Sequence, residues 1–245
     1  MDHIDLCSGI GGFALGFEWA GLSKPVLFCD IEPWSRKVLK KHWPNVPIAS
    51  DVKELASDPE RLIPQTDPRN TILTAGYPCQ PFSVAGNQKG AEDNRHIWPY
   101  ILEIVAHKRP AWCVFENVYG HIGLGLDQVL FDLEAEGYAS RTFIVPACGV
   151  DAPQRRDRLW IVAHSDSQRG RLRNAEWQNA EDAGQPSGNQ RDNARGMGFW
   201  DVEPSVGRVA HGIPKRVDRL KGLVNAIVPQ IAQRIGETIK RADLQ

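Results

Sequence analysis

Between residues 3 and 163, short apolar runs alternate with stretches whose apolar residues recur at helical spacing. Ile4-Asp5-Leu6-Cys7 reads as a buried strand. The glycine-rich turn Ser8-Gly9-Ile10-Gly11-Gly12 follows, then a helix from Phe13 to Ala20 that stops at Gly21. Pro25 to Cys29 forms a second strand ending at Asp30, and Pro33 to His42 a helix closed by Pro44. A third strand is expected just ahead of Asp51. Thr71 to Ala75 is a strand leading into Gly76-Tyr77-Pro78-Cys79, and Ile97 to Ala106 has helical spacing. Trp112 to Phe115 is a strand ending at Glu116, and Val129 to Glu136 continues a helix stopped by Gly137. Arg141 to Val145 and Leu159 to Ala163 complete the set of strands.

Strands alternating with helices predict an α/β fold with a mostly parallel sheet covered on both faces. Ligands of such sheets bind beyond the carboxyl ends of the strands, where Asp30, Cys79 and Glu116 all fall. The pattern breaks after His164. From Ser165 to about Val202 the chain is rich in Gln, Asn, Arg, Asp and Gly, which predicts an irregular insertion rather than core. Order returns near Arg216, and Asn225 to Lys240 reads as a last helix with Ile227, Val228, Ile231, Ile235 and Ile239 on or near one face.

The length, 245 residues, suits one large domain or one domain with a small appendage, and 42% hydrophobic residues suffice for a sizeable core. No apolar run approaches the ~18 residues that span a bilayer, and Met1 to Asp5 lacks the features of a signal peptide. A cytoplasmic location is therefore expected. The five cysteines are scattered with no C-x-x-C pair, so neither a metal site nor a disulfide framework is expected, and most should be small buried hydrophobes. Net charge is only −1, but residues 154–221 carry 13 Lys and Arg against 9 Asp and Glu, which concentrates positive potential there.

Candidate chemistry sits at the strand ends. The turn after the first strand brings free N–H groups at a helix start close to a ligand. Asp30 lies 19 residues after Gly11, near the ~20-residue spacing at which a carboxylate meets ribose hydroxyls. Asp51 follows the expected third strand, so the sheet is suited to an adenosine-containing cofactor. In Gly76-Tyr77-Pro78-Cys79-Gln80-Pro81-Phe82-Ser83 a cysteine is held between prolines at a strand end, and the polar stretch Val84 to Arg95 has the length of a closing loop. Phe115-Glu116-Asn117-Val118 ends one strand, and Gln154-Arg155-Arg156-Asp157-Arg158 enters another.

In order and spacing, these segments resemble the DNA (cytosine-5) methyltransferase family. The glycine-rich opening, Pro78-Cys79-Gln80, Glu116-Asn117-Val118 and Gln154 to Arg158 are similar to four of its signature motifs. Arg219 to Pro229 is similar to the closing motif that returns to the cofactor domain. The resemblance covers about residues 3–164 and 206–240. It implies a class I, Rossmann-like S-adenosyl-L-methionine methyltransferase fold, with a mixed, mostly parallel seven-stranded sheet and helices on both faces. It further implies a catalytic and cofactor-binding domain over 1–164, a short target-recognition region over 165–207, and closing motifs with a C-terminal helix over 208–245.

The resemblance assigns catalysis to Cys79, Glu116, Arg156 and Arg158. It assigns the cofactor to Asp5, Cys7, Gly9, Gly11, Gly12, Asp30, Ile31, Asp51, Val52, Gly76, Pro78 and Asn225. DNA contact is expected at Gln80, Ser83, Arg95, Arg169, Arg171 and Arg173. The implied reaction is methyl transfer to C5 of cytosine in double-stranded DNA, through a Cys79–C6 adduct on a flipped base. The expected setting is a monomer without metal or membrane, in the cytoplasm of a bacterial or phage-infected cell. Cys7 stands where the family often has phenylalanine over the adenine, and Val224 where it usually has glycine. RNA as substrate, a silent DNA-binding protein and an altered cofactor are the competing readings.

Overall fold

The computed structural model describes residues 1–78, 97–165, 222–223 and 225–243. Seven strands form one sheet: β1 (Asp2–Leu6), β2 (Lys24–Cys29), β3 (Ile48–Ala49), β4 (Thr71–Ala75), β5 (Trp112–Val118), β6 (Tyr138–Pro146) and β7 (Asp157–Ser165). Their order is β3-β2-β1-β4-β5-β7-β6. The first five run parallel, whereas β7 lies antiparallel to both β5 and β6. The order reverses direction between β1 and β4, the position at whose carboxyl ends such sheets bind ligands.

Side chains alternate along each strand, so successive residues enter opposite cores. Leu6, Cys29, Leu73, Phe115 and Ile161 join one core with helices α3 (Val52–Ser57), α5 (Trp98–Lys108) and α6 (Leu126–Ala135). Ile72, Trp112, Val114, Trp160 and Val162 join the other, with α1 (Gly12–Trp19) and α7 (Pro229–Asp243). Both faces are thus covered, as a largely parallel sheet requires. Helix α2 (Pro33–His42) adds Leu39 to a smaller cluster with Ala14 and Phe28.

The contact of α7 with α1 brings the end of the chain back to its start. A Cβ on Gly12 would lie 2.6 Å from the Ile227 carbonyl oxygen, so only glycine permits this approach. At the far end of α7, Trp112 Nε1 donates to Asp243 Oδ1 at 3.0 Å.

Some elements differ from the sequence expectation. The last helix begins at Pro229 rather than Asn225, because proline fits the first helical turn and disfavours helix in the residue before it. The short helices α3 and α4 (Pro59–Leu62) were not anticipated; six and four residues are too few for a periodic pattern. Cys29 and Cys113 are buried as expected of small hydrophobes, but Cys148 is exposed and Cys7 half-buried. Among the described residues no helix is long and apolar enough to cross a membrane, and no cluster of His, Cys, Asp or Glu could hold a metal ion.

Candidate active site

Two carboxyl groups organise the carboxyl edge of the sheet. The first is Asp30, after β2. Its Oδ2 accepts from the Gly9 N–H at 2.7 Å and its Oδ1 from the Glu32 N–H at 2.8 Å. Burial raises its pKa, and the two backbone donors oppose that rise. Asp30 therefore holds the glycine turn against the end of β2. Ser8 reinforces this, its N–H donating to the Cys29 carbonyl at 3.0 Å and its hydroxyl to the Asp5 carbonyl at 2.5 Å. The tight turn puts Cys7 at φ +51°, a left-handed conformation that costs a non-glycine residue about 1–2 kcal/mol.

The remaining residues assigned to a cofactor lie in this turn, after β2, β3 and β4, and in the segment before α7. Among the described residues, a side chain added at Gly9 would meet no heavy atom within 4 Å, so they leave the space over the turn open. Gly11 caps α1 in the left-handed conformation, and Gly12 lies buried beneath the closing segment. Ile31, next to Asp30, is 70% exposed, an apolar platform beside a hydrogen-bonding carboxylate. Asp51 is half-buried and accepts from the Lys53 N–H at 2.9 Å, capping α3, with Val52 buried beside it. Gly76 is half-buried, while Pro78 and Asn225 are exposed. Apolar platform, carboxylates and open backbone fit an adenosine moiety in chemistry.

Asp5 is placed differently. It is fully buried on β1, opposite Thr74 on β4. Thr74 Oγ1 donates to Asp5 Oδ1 at 2.7 Å and so accepts from His3 Nε2 at 2.8 Å, which puts the imidazole proton on Nε2. Burial pushes the Asp5 carboxyl up to about 8 and the His3 imidazole down to about 3. Asp5 thus braces the two strands that lead into the glycine turn and into Pro78. Sequence reasoning missed His3 and Thr74. The available signal was a polar residue two positions before Asp5, on the same face of an otherwise apolar strand.

The second carboxyl group is Glu116 on β5. Antiparallel β7 sets Arg158 opposite Val118, and Arg158 Nε reaches Glu116 Oε1 at 3.0 Å. Burial raises the Glu116 pKa to about 7, while Arg158 and then Arg156 hold it from rising further. A carboxylic acid that titrates near neutrality can both give and take a proton. Arg156, half-buried at φ +37°, donates from Nη2 to the Ala226 carbonyl at 2.9 Å. Cys79, Gln80, Ser83, Arg95, Arg169, Arg171, Arg173 and Val224 lie outside the described residues, as does the expected recognition region apart from Ser165.

Sheet order, glycine turn and strand-end carboxyl groups define a Rossmann-like S-adenosylmethionine methyltransferase fold. The chain matches the family model "C-5 cytosine-specific DNA methylase" over residues 1–201, and it belongs to that family. It is similar to the Type II methyltransferase M2.BsuMI of Bacillus subtilis, 33% identical over 66% of this chain and 42% of that protein. It is also similar to the Type II methyltransferase M.NgoBI of Neisseria gonorrhoeae, 34% identical over 67% of this chain and 50% of that protein. The chain thus spans about half the length of these curated relatives. Among solved structures, the Dnmt2 methyltransferase of S. pombe superposes with a TM-score of 0.57 at 24% identity, over 67% of this chain and 50% of that one. A mutant of Spodoptera frugiperda DNMT2 superposes at 0.54 and 22% identity, over 71% and 53%. These structural matches establish the fold.

Proposed function

We propose that the chain transfers a methyl group from S-adenosyl-L-methionine to C5 of cytosine in double-stranded DNA, through a covalent bond between Cys79 and C6 of a flipped base. The observation that carries this reading is the buried Glu116 carboxyl, titrating near 7 beside Arg158 at the carboxyl end of β5. C5 of cytosine is a poor nucleophile until a thiolate adds to C6. Glu116 gives its proton to N3 as the Cys79 thiolate adds, which leaves an enamine with its electron pair on C5. The cofactor, when bound, supplies the electrophilic methyl group that C5 takes up. A base then removes the C5 proton, the C6–S bond breaks, and Glu116 recovers the N3 proton as the ring regains its aromaticity.

In this reading Arg158 orients Glu116 and meets the base at its O2 edge. Asp30 takes the ribose hydroxyls, Asp51 the adenine amine and Ile31 the ring face, with Val52, Gly76, Pro78 and Asn225 lining the rest. The arginines of residues 165–207 suit phosphates or guanine edges in their chemistry. The target base lies inside the stack and is flipped out before any of these groups can act on it.

A duplex carrying 5-fluorocytosine tests the covalent step, because fluorine cannot leave as a proton does. With S-adenosylmethionine present, the wild type should give a shifted protein–DNA band that survives denaturing electrophoresis, and Cys79→Ser should give none. An active wild type without the band, or a serine variant that still methylates, sinks the covalent mechanism. Labelled cofactor offered to mixed DNA and RNA separates this reading from RNA modification: label recovered only in RNA overturns the choice of substrate.

A further inference from the structure

The closing segment and the acid at Glu116 are far apart in sequence, and one side chain touches the first while facing the second. Arg156 donates from Nη2 to the carbonyl of Ala226 across 70 residues of chain. The next residue, Ile227, is buried with its carbonyl against Gly12, and its Cδ1 lies 3.2 Å from the position a Cβ would take on Gly76. Ala226 therefore belongs to a segment seated across both turns that border the cofactor crevice. Asn225, its other neighbour, is the exposed residue assigned to the cofactor. At its own end, Arg156 sits two residues before Arg158, which holds Glu116 at 3.0 Å. Among the described residues, Arg158 and Arg156 are the charged groups that act on Glu116.

We infer that Arg156 is a positioning residue that couples the cofactor crevice to the acid, so that seating a ligand against the closing segment sets the charge facing Glu116. The inference rests on the reading above and gives a defined role to a residue that the resemblance assigns to catalysis without saying what it does. A ligand that packs on Asn225 fixes the Ala226 carbonyl, which in turn fixes the guanidinium. A guanidinium held in place favours the Glu116 carboxylate over the acid. By linkage, the deprotonated protein must then bind that ligand more tightly, and the same coupling energy appears from either side.

The test uses S-adenosylhomocysteine, which binds without turnover, and follows Glu116 by carbon NMR of glutamate-labelled protein, with Glu116→Gln identifying the signal. In the wild type the ligand should lower the Glu116 midpoint, and calorimetry should find its affinity rising about threefold from pH 6 to pH 8. In Arg156→Gln both changes should vanish, while Arg156→Lys, which keeps a cation and a donor, should retain part of each. Circular dichroism checks that the variants fold, and the lysine variant keeps the test decisive if the glutamine variant does not. A Glu116 midpoint unmoved by ligand in the wild type, or moved as far as in the wild type in either folded Arg156 variant, overturns the coupling alone. A wild type that binds no S-adenosylhomocysteine overturns both the coupling and the reading beneath it.

Discussion

Asp30 and Glu116 stand at the ends of two strands of one sheet, and each is 9% exposed. Burial raises both pKa values, yet the two groups are prepared for different work. Asp30 spends a lone pair of each oxygen on a backbone N–H, and those donors cannot titrate or swing away. It is an acceptor built into the turn. Glu116 faces a guanidinium on a long side chain instead, and its proton equilibrium is balanced near neutrality. At the same solvent exposure, backbone partners make Asp30 a fixed hydrogen-bond acceptor, while Glu116, beside a side-chain guanidinium, titrates as a usable acid.

The comparison breaks most visibly at Glu116. Glu116→Gln removes the proton donor while keeping shape, so turnover should fall by about 10²–10⁴-fold with DNA binding retained. With the acid form required, the wild-type rate should decline as pH rises through about 7, and that limb should be missing from the residual activity of the variant. Stability should follow the same group. Its folded pKa is raised above the ordinary glutamate value of 4.5, so its stabilisation is complete at pH below the unfolded value and is lost as pH rises through about 7. Urea midpoints should therefore fall between pH 5 and 8 more steeply in the wild type than in Glu116→Gln. Equal slopes, or an intact rate in the variant, would remove Glu116 from the role of acid.

Asp30 should respond in binding rather than in rate. Asp30→Ala deletes charge-assisted hydrogen bonds of roughly 1.5–3 kcal/mol, so affinity for S-adenosylmethionine should drop about ten- to hundredfold. Calorimetric titration measures it, and an unchanged affinity would leave Asp30 as a brace for Gly9 and nothing more. A Glu116→Gln protein that lost cofactor affinity to the same extent would erase the difference between the two groups.

The half of the edge around the glycine turn and Asp30 was more legible in the sequence than the half around Glu116. Glycines, a strand end and a carboxylate 19 residues on are local signals, and Pro33 to His42 and Thr71 to Ala75 appear in the structure with the ends expected of them. Glu116 could be chosen as a strand-end acid, but its partner could not be read from the pattern. Alternation is the same in parallel and antiparallel strands, so nothing local indicates that β7 runs back along β5 and delivers Arg158. The bond from Arg156 to Ala226 is a tertiary contact between segments whose own patterns are silent about each other. The buried His3–Thr74–Asp5 chain joins strands that lie 69 residues apart and likewise required the pairing of β1 with β4.

Asp51 tests whether a carboxylate can serve both purposes. The sequence placed it after a strand and the resemblance assigned it to the cofactor, whereas the structure adds that it caps α3 through the Lys53 N–H at 2.9 Å. Asp51→Ser keeps a capping oxygen but deletes the carboxylate, and Asp51→Ala deletes both. Loss of a cap costs about 1 kcal/mol, so the alanine variant should unfold earlier in urea while the serine variant stays near wild type. If the carboxylate also accepts from the adenine amine, both variants should weaken S-adenosylmethionine about three- to tenfold, and the serine variant should do so with stability preserved. A serine variant with wild-type affinity would confine Asp51 to the cap. It would then resemble neither Asp30 nor Glu116, being a carboxylate at the ligand edge whose whole contribution is to the helix behind it.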